Sequence, residues 1–308
     1  MKVGFSVDVN KDDANSGKHK FLIRLSKEMK KNGITIDNKK PDIFLFLTGQ
    51  DICKKAKKNV LRLDGLIFNT RWDYKSKNKK ILKAINKSDA LVYQGEFCQE
   101  AYQKFLGIIN KTKAIIPNGA DPDDFLPRNP KDFFLANCKW RSHKRLKSIV
   151  KSYLHALDKG LKSDLVITGK ADYKYKHPKI KYVGWQKHKE LRKLLSESVA
   201  SLHLSWIDWC PNSMIEAIVA NVPLIYSKSG GHIDLGEESG IGIEDIQWNF
   251  KACDLYSPPT VGKKEIANAM LYLERNKNIV YRNKEELNIK NVCKQYLEYF
   301  DTILNSKG

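Results

Sequence analysis

The sequence lacks the spacings that mark metal sites and disulfide frameworks. Its six cysteines form no CxxC pair and its seven histidines form no HExxH motif, so we expect no bound metal, no cofactor and reduced thiols. Apolar runs stay far below the roughly 18 residues that span a bilayer, and the first residues turn polar before a secretion signal can form. These absences predict a cytoplasmic protein.

Acidic residues are scarce relative to basic ones. The chain has 55 Lys and Arg against 35 Asp and Glu, a formal charge of +20, yet only nine of the basic residues are Arg. Base-edge recognition favours the rigid Arg fork, so we expect no specific nucleic-acid partner. The excess is either a solvated background or a field that holds the protein at an anionic membrane or polymer.

The chain length and its apolar pattern predict an α/β protein. A chain of 308 residues fits two domains of about 150 residues each. Short β-branched runs alternate with segments of helical period, which is typical of parallel sheets covered by helices. Ten runs are candidate strands: residues 3–7, 43–48, 60–63, 90–93, 114–116, 133–136, 165–168, 180–183, 201–204 and 223–226.

A turn-rich segment predicts where the two domains divide. Residues 115–130 hold an Asn-Gly pair and several prolines, so we expect a first domain over 1–125 and a second over 126–287. The last segment, 288–308, carries a broad apolar stripe of helical period and is predicted to pack back on the first domain.

The segment from Asp208 to Gly231 combines features that suit a phosphate-bearing ligand. Asn212 or Ser213 is predicted to cap a helix whose first N–H groups would attract a phosphate. Glu216 lies about one turn inside that helix and could accept a sugar or ribose hydroxyl, while Asp208 precedes it. An acid in this position can equally do no more than complement the helix dipole.

This segment resembles the signature region of the retaining glycosyltransferase family four. The family has two acids separated by seven residues, then small residues, a strand containing proline and a Gly-Gly loop. Here the pattern reads D-W-C-P-N-S-M-I-E-A and ends at Gly230 and Gly231. The first acid is Asp208 where the family has Glu, which shortens its reach by about one methylene.

A second resemblance lies upstream, in residues 133–153. The family has a strand, an Arg, a loop, a Lys five positions later and an amphipathic helix, and the two cations grip the donor pyrophosphate. By that spacing Lys139 takes the Arg position and Lys144 the Lys position. Because Lys lacks the bidentate fork, Arg141 or Arg145 is an alternative contributor.

The first half matches the family less explicitly. Gly17 falls in the family's glycine loop, so residues 15–18 would lie at the mouth of a cleft. Arg62 and Asp64 end a candidate strand and are the predicted acceptor-side residues. An Asp at the end of a strand is at least as often a turn residue.

The resemblance implies the GT-B fold, with two Rossmann-like domains facing a central cleft. It also implies metal-independent, retaining transfer of a hexose, with mannose favoured, from a nucleotide-diphosphate sugar such as GDP-mannose or a UDP-hexose. The acceptor would be a hydroxyl of a glycan or a lipid-linked molecule. Three alternatives stay open: a non-catalytic polyanion or nucleic-acid binder, a transferase that modifies DNA, and a GT-B epimerase.

Overall fold

The computed structural model describes residues 1–10, 17–107, 109–282 and 284–306, and they form two compact units. Unit 1 comprises Met1–Ala120, Phe250–Cys253 and Glu286–Gly308. Unit 2 comprises Asp121–Asn249 and Asp254–Glu285. The first division lies before the predicted residue 125.

The return of Phe250–Cys253 to unit 1 has no counterpart in the sequence prediction. The Cys253 N–H donates to the Phe68 carbonyl, and the Cys253 carbonyl accepts from the Thr70 N–H at 3.0 Å. The rings of Phe250 and Phe97 lie 5.9 Å apart. Two backbone hydrogen bonds and one aromatic contact therefore fasten this short segment to unit 1.

Unit 1 is built on a six-stranded parallel sheet with the order β2-β1-β3-β4-β5-β6. The central strands are apolar and buried, as parallel sheets covered on both faces require. The strands are β1 Lys2–Phe5, β2 Thr35–Ile36, β3 Ile43–Leu47, β4 Lys58–Leu63, β5 Ala90–Tyr93 and β6 Lys113–Ile115, and the first three helices are α1 Gly17–Lys31, α2 Tyr74–Lys87 and α3 Glu96–Leu106.

Unit 2 repeats this plan with the order β12-β11-β10-β7-β8-β9, again all parallel. Its strands are β7 Phe133–Asn137, β8 Asp164–Thr168, β9 Ile180–Gly184, β10 Ser201–His203, β11 Leu224–Ser227 and β12 Gly240–Ile243. Its helices are α4 Leu146–Asp158, α5 His188–Glu197, α6 Asn212–Val219, α7 His232–Gly236 and α8 Lys263–Arg275, and short 3₁₀ helices occupy Pro122–Asp124, Ser142–Lys144 and, at the junction with unit 1, Glu285–Leu287.

The last helix, α9 (Ile289–Asn305), belongs to unit 1. Its apolar stripe joins the unit 1 core, where Val292, Tyr296 and Phe300 are fully buried. The Asn288 side chain accepts the Lys290 N–H and caps the start of the helix. Helix α9 therefore completes the core of unit 1, whose strands come from the first part of the sequence.

Two edge strands have no counterpart among the ten predicted from the sequence. Strand β2 has only two residues, and β12 reads Gly-Ile-Gly-Ile, which resembles a loop. Gly240 is needed because a Cβ there would overlap the backbone of Leu224, whereas a Cβ at Gly242 would lie 2.8 Å from the Lys228 side chain, which can move aside. Small residues here permit close strand pairing.

The strand order places a switch point beside β7. From β7 the chain builds outward through β8 and β9, then returns to the other side of β7 to build β10, β11 and β12. The loops after β7 and β10 therefore diverge, which opens a crevice at the carboxyl ends of neighbouring strands. In doubly wound sheets this crevice is the usual ligand site.

A buried ion pair fixes the loop that leaves β7. Arg145 adopts a left-handed backbone with φ 57°, and its guanidinium donates to both oxygens of Asp245, with Nη2 3.0 Å from Oδ1. Asp245 also accepts from the Ser227 hydroxyl and, at 2.8 Å, from the Ile246 N–H. Side-chain exposure is 2% for Arg145 and 0% for Asp245. The Arg145 guanidinium is therefore used to hold this loop. Arg145 is not the alternative phosphate ligand that the sequence suggested.

We expect Asp245→Ala to destabilise the protein by about 3–5 kcal/mol, because it leaves the Arg145 charge buried without its partner. Urea unfolding measures the change. The neighbouring Glu244→Ala, which removes only an exposed pair with Lys228, is the matched control and should leave the unfolding midpoint unchanged. Equal shifts for the two variants would contradict this role of Asp245.

Candidate functional site

The loop after β7 points Lys144 inward and leaves Lys139 and Arg141 exposed. Trp140 anchors this loop, because its indole Nε1 donates to the Thr168 carbonyl at 2.6 Å. Lys139 and Arg141 are exposed to solvent. Lys144 ends the 3₁₀ helix and is only 16% exposed. The structure thus separates Lys139 from Lys144 in environment, although the sequence predicts one phosphate grip from the two.

The loop after β10 carries Asp208 into the same crevice. Ile207 has a left-handed φ of 54°, which is rare for a β-branched residue and turns the chain sharply before Asp208. Pro211 is the N-cap of α6, and no side chain caps the helix. The prediction that Asn212 or Ser213 caps α6 is therefore wrong. Both lie in its first turn, where the N–H groups point out of the helix.

Lys144 and Asp208 form an ion pair across the switch point. The Lys144 ammonium donates to Asp208 Oδ2, and both side chains are less than one-fifth exposed. Burial alone would lower the pKa of Lys144, but the Asp208 carboxylate raises it above its usual value. Burial would likewise raise the pKa of Asp208, yet the Lys144 charge holds it down at about 2. Both groups are therefore charged at neutral pH.

The Gly-Gly loop packs directly against Asp208. The Gly231 N–H donates to the Asp208 carbonyl at 2.7 Å. Gly230 has φ 62°, and a Cβ there would lie 2.8 Å from that same carbonyl oxygen. A Cβ at Gly231 would overlap the Trp209 backbone. Both glycines are therefore needed to bring the loop after β11 against the loop after β10.

Glu216 lies further along α6. It is the fifth residue of the helix and is half-buried, one turn beyond Asn212. The structure thus brings Asp208, Gly230 and Gly231 together around Lys144 and places Glu216 on the adjoining helix.

Three buried histidines that no sequence motif predicts surround the ion pair. They are His143, His203 and His232, each less than one-tenth exposed. Burial lowers the pKa of His143 and His203 to about 3 and that of His232 to about 4, with the Lys144 charge adding to the effect. All three are neutral at pH 7. Isolated histidines carry no spacing signal, so only the fold gathers them.

The predicted acceptor-side residues lie in a buried polar network of unit 1. Arg62 is fully buried and donates to Asp64 Oδ1, to Asn118 and, at 3.2 Å, to the Tyr296 hydroxyl. Gln94 also donates to Asp64 Oδ1, at 2.5 Å. Arg62 is thus enclosed by its partners and does not reach solvent. Asp64 Oδ2 has no partner within the described residues, so Asp64 keeps one oxygen for another contact.

The predicted glycine loop is described only in part. Asn15 and Ser16 lie outside the described residues. Gly17 is exposed and opens α1, and Lys18 follows it, half-buried. Burial and the nearby Arg62 charge lower the pKa of Lys18.

The described residues contain neither a cluster that could bind a metal ion nor a helix that could span a membrane. No three His, Cys, Asp or Glu side chains there lie close enough together to hold a metal ion. None of the helices in those ranges is long and apolar enough to cross a bilayer.

Solved structures share this architecture along almost the whole chain. Sucrose-phosphate synthase from Thermosynechococcus elongatus superposes with a TM-score of 0.64 at 12% identity, covering 99% of this chain and 96% of that one. The chain has the GT-B fold. Its fold class is thereby confirmed, as two doubly wound α/β units.

Two further structures of this fold are similar to the chain. AviGT4, a glycosyltransferase involved in avilamycin A biosynthesis, has a TM-score of 0.59 at 13% identity and covers 100% of this chain and 99% of its own. HepE of Anabaena, solved with UDP and glucose, has a TM-score of 0.63 at 12% identity and covers 98% and 100%. Comparisons with protein-family models and with curated protein sequences find no match.

The buried histidines predict a stability that falls with acidification. Each has a folded pKa below its unfolded value near 6.5, so the unfolded state binds more protons below that pH. The stabilisation is complete above pH 7 and is lost as the pH falls toward 4, by about 1 kcal/mol per histidine per pH unit. Urea unfolding at pH 7, 6 and 5 measures the slope.

The variant His203→Gln should flatten that slope, since it removes one titrating group. His177→Gln, at a half-buried position in a surface turn, is the control and should leave the slope as it is. A slope unchanged in His203→Gln would contradict the assignment of a neutral, buried imidazole.

Proposed function

We propose that this protein is a retaining glycosyltransferase that moves a hexose from a nucleotide-diphosphate sugar to a hydroxyl group. The observation that carries the proposal is the Lys144–Asp208 pair at the switch point of unit 2, in a chain with the GT-B fold. A half-buried lysine supports this proposal, because it puts a positive charge in the crevice where doubly wound sheets usually bind ligands.

Departure of the nucleoside diphosphate places negative charge on the pyrophosphate. Lys144 would stabilise that charge, and the first N–H groups of α6, at Asn212 and Ser213, would point toward it. Lys139, on the exposed side of the loop, would add a second cation once the donor is bound. These cations supply the electrophilic assistance in this scheme, so it needs no metal ion.

The two acids would have different tasks. Asp208 holds Lys144 in place before the donor arrives and, once the phosphate competes for that ammonium, can accept a hydroxyl of the sugar. Glu216, one turn into α6, would accept the ribose hydroxyls. Gly230 and Gly231 would hold the Asp208 backbone close to the donor. Because the donor phosphate can take the acceptor proton in retaining transfer, no side-chain base is required.

The nucleotide is proposed as GDP or UDP. The sequence resemblance favours mannose from GDP-mannose, whereas the similar structure of HepE was solved with UDP-glucose. Both donors contain the pyrophosphate that Lys144 would recognise. Thermal-shift measurements with GDP-mannose, UDP-glucose and their free nucleotides separate the two possibilities.

The acceptor side is proposed to be anionic or bound to an anionic surface. Unit 1 contains 29 Lys and Arg against 15 Asp and Glu, and so carries +14 of the total of +20. Helix α2 contributes strongly, with six exposed lysines and no acid within its span. Asp64, whose buried Oδ2 has no partner among the described residues, is the acid proposed for the acceptor side. A glycan or lipid-linked acceptor at the cytoplasmic face of a membrane suits this charge.

Sugar transfer from the preferred donor should fall by about 10²–10³-fold in the double variant Lys144→Gln/Asp208→Asn. The pair of changes removes both charges together, so neither group is left buried as an unpaired ion. Lys151→Ala, an exposed lysine of α4, is the control and should keep full transfer. Glu216→Ala should weaken nucleotide binding about tenfold.

Full transfer by the double variant, with its fold intact, would contradict the site assignment. Salt-sensitive binding of DNA without any donor-induced thermal shift would instead favour a polyanion-binding protein. Donor conversion in the absence of an acceptor would favour an epimerase, and transfer to duplex DNA would favour a DNA-modifying enzyme.

Removing two of the six lysines of α2 should weaken binding to anionic vesicles by about 10- to 30-fold, since each lysine near such a surface contributes about 1 kcal/mol. The variant is Lys79→Gln/Lys83→Gln, and co-sedimentation with vesicles of anionic and of neutral lipids measures binding. Lys176→Gln/Lys189→Gln makes the same charge change in unit 2 and should have little effect. Equal losses for the two pairs would rule out α2 as the contact.

A further inference from the structure

His232 has a defined tautomer. Its Nδ1 lies 3.1 Å from the Ser229 carbonyl oxygen, and a carbonyl can only accept a hydrogen bond. Nδ1 therefore carries the proton, and Nε2 presents a lone pair. With a side chain that is 0% exposed, His232 offers this acceptor to the protein interior alone.

The acceptor at Nε2 has no hydrogen-bond partner within the described part of the chain. Buried polar atoms of this kind almost always have one, either a protein group or an ordered water. The imidazole also stays neutral, because burial lowers the pKa of His232 to about 4. The Nε2 lone pair is therefore not protonated at neutral pH and still needs a hydrogen-bond donor.

A small cavity is lined by His232. It has a volume of about 10 Å³, close to the least that holds one water molecule. Its lining is polar enough for a water, and includes the side chains of Lys144, His203, Ser205, Ser213 and His232.

Lys144 has hydrogen-bonding capacity to spare beside this cavity. An ammonium has three N–H donors, and the one partner of Lys144 among the described residues is Asp208. Two donors thus remain. Lys144 and His232 both line one water-sized cavity. The Lys144 ammonium has hydrogen bonds left to donate and His232 Nε2 can only accept one, so one molecule that both accepts and donates would satisfy both.

We propose that this cavity binds a single ordered water, which accepts a hydrogen bond from Lys144 Nζ and donates one to His232 Nε2. The water would leave one N–H of Lys144 for a ligand and fix its direction, because the other two are occupied by Asp208 and the water. His232 is then a positioning residue for Lys144. This last consequence rests on the proposed function, whereas the water itself does not.

A crystal structure of the unliganded protein that shows ordered waters tests the site directly. The expected result is one water within about 2.7–3.2 Å of both His232 Nε2 and Lys144 Nζ. An empty cavity, or a protein group paired with Nε2, would overturn the proposal. The readout needs no donor and no activity, so a failed transfer assay leaves it intact.

Nucleotide affinity tests the consequence. His232→Leu removes the acceptor and should weaken UDP or GDP binding, whichever the wild type binds, by about three- to tenfold. His232→Gln places a polar group where Nε2 lies and should restore most of the affinity. His155→Leu, in α4, removes another histidine whose Nε2 has no partner in the described ranges, and should bind like the wild type.

Should His232→Leu fail to fold, the Gln variant and the crystal structure still decide the question. A crystal structure of His232→Gln should retain the water. Wild-type affinity in a folded His232→Leu variant would overturn the positioning role.

Discussion

The ion pair between Lys144 and Asp208 is the constraint around which unit 2 is organised. Two charges that are less than one-fifth exposed are tolerable only together, because each offsets the desolvation of the other. They come from loops that follow different strands, and the switch point brings those loops together. The sheet topology therefore brings the two residues together, and the ion pair in turn fixes the positions of the loops around it.

The neighbouring loops depend on this pair through backbone contacts. The left-handed turn at Ile207 aims Asp208 inward, and the Gly-Gly loop closes on the Asp208 carbonyl, where no side chain fits. On the other side, the Arg145–Asp245 pair fixes the residue after Lys144. Lys144 is thus held in place through its neighbour Arg145, and Asp208 through its neighbour Ile207 and the Gly-Gly loop. Such support preorganises charges for a ligand at little cost when the ligand arrives.

The sequence predicted most of the fold because its signals are local. An apolar run such as Ile43–Leu47 or the helical stripe of α9 needs only its own spacing to be recognised. Strand β12 was not predicted, because Gly240 is required by its close contact with the backbone of Leu224 in β11, and residue spacing does not reveal such a contact. The cap of α6 was misassigned because Pro211, with its preset φ, took the position ahead of Asn212.

The sites could be predicted only where a motif spans a short stretch. Lys144, Asp208 and the Gly-Gly loop were singled out because short motifs resemble those of a known family, and they do lie together, whereas His203 and His232 are single residues that only the sheet brings together. Arg62 is the opposite case. A charged residue at the end of a strand suggested a ligand contact, but its partners Asn118 and Tyr296 lie 56 and 234 positions away. No local sequence pattern indicates that Arg62 is buried.

Because α9 packs into the core of unit 1, that core is completed only by residues that are translated late. Tyr296 accepts the Arg62 hydrogen bond and its ring lies 6.1 Å from Phe21, yet it is translated after all of unit 2. All of unit 2 is translated before this helix. Unit 1 cannot bury Arg62 among all its partners until the last helix has emerged. The half of the protein that is made first is thus the half that is completed last, contrary to the usual order from the N-terminus.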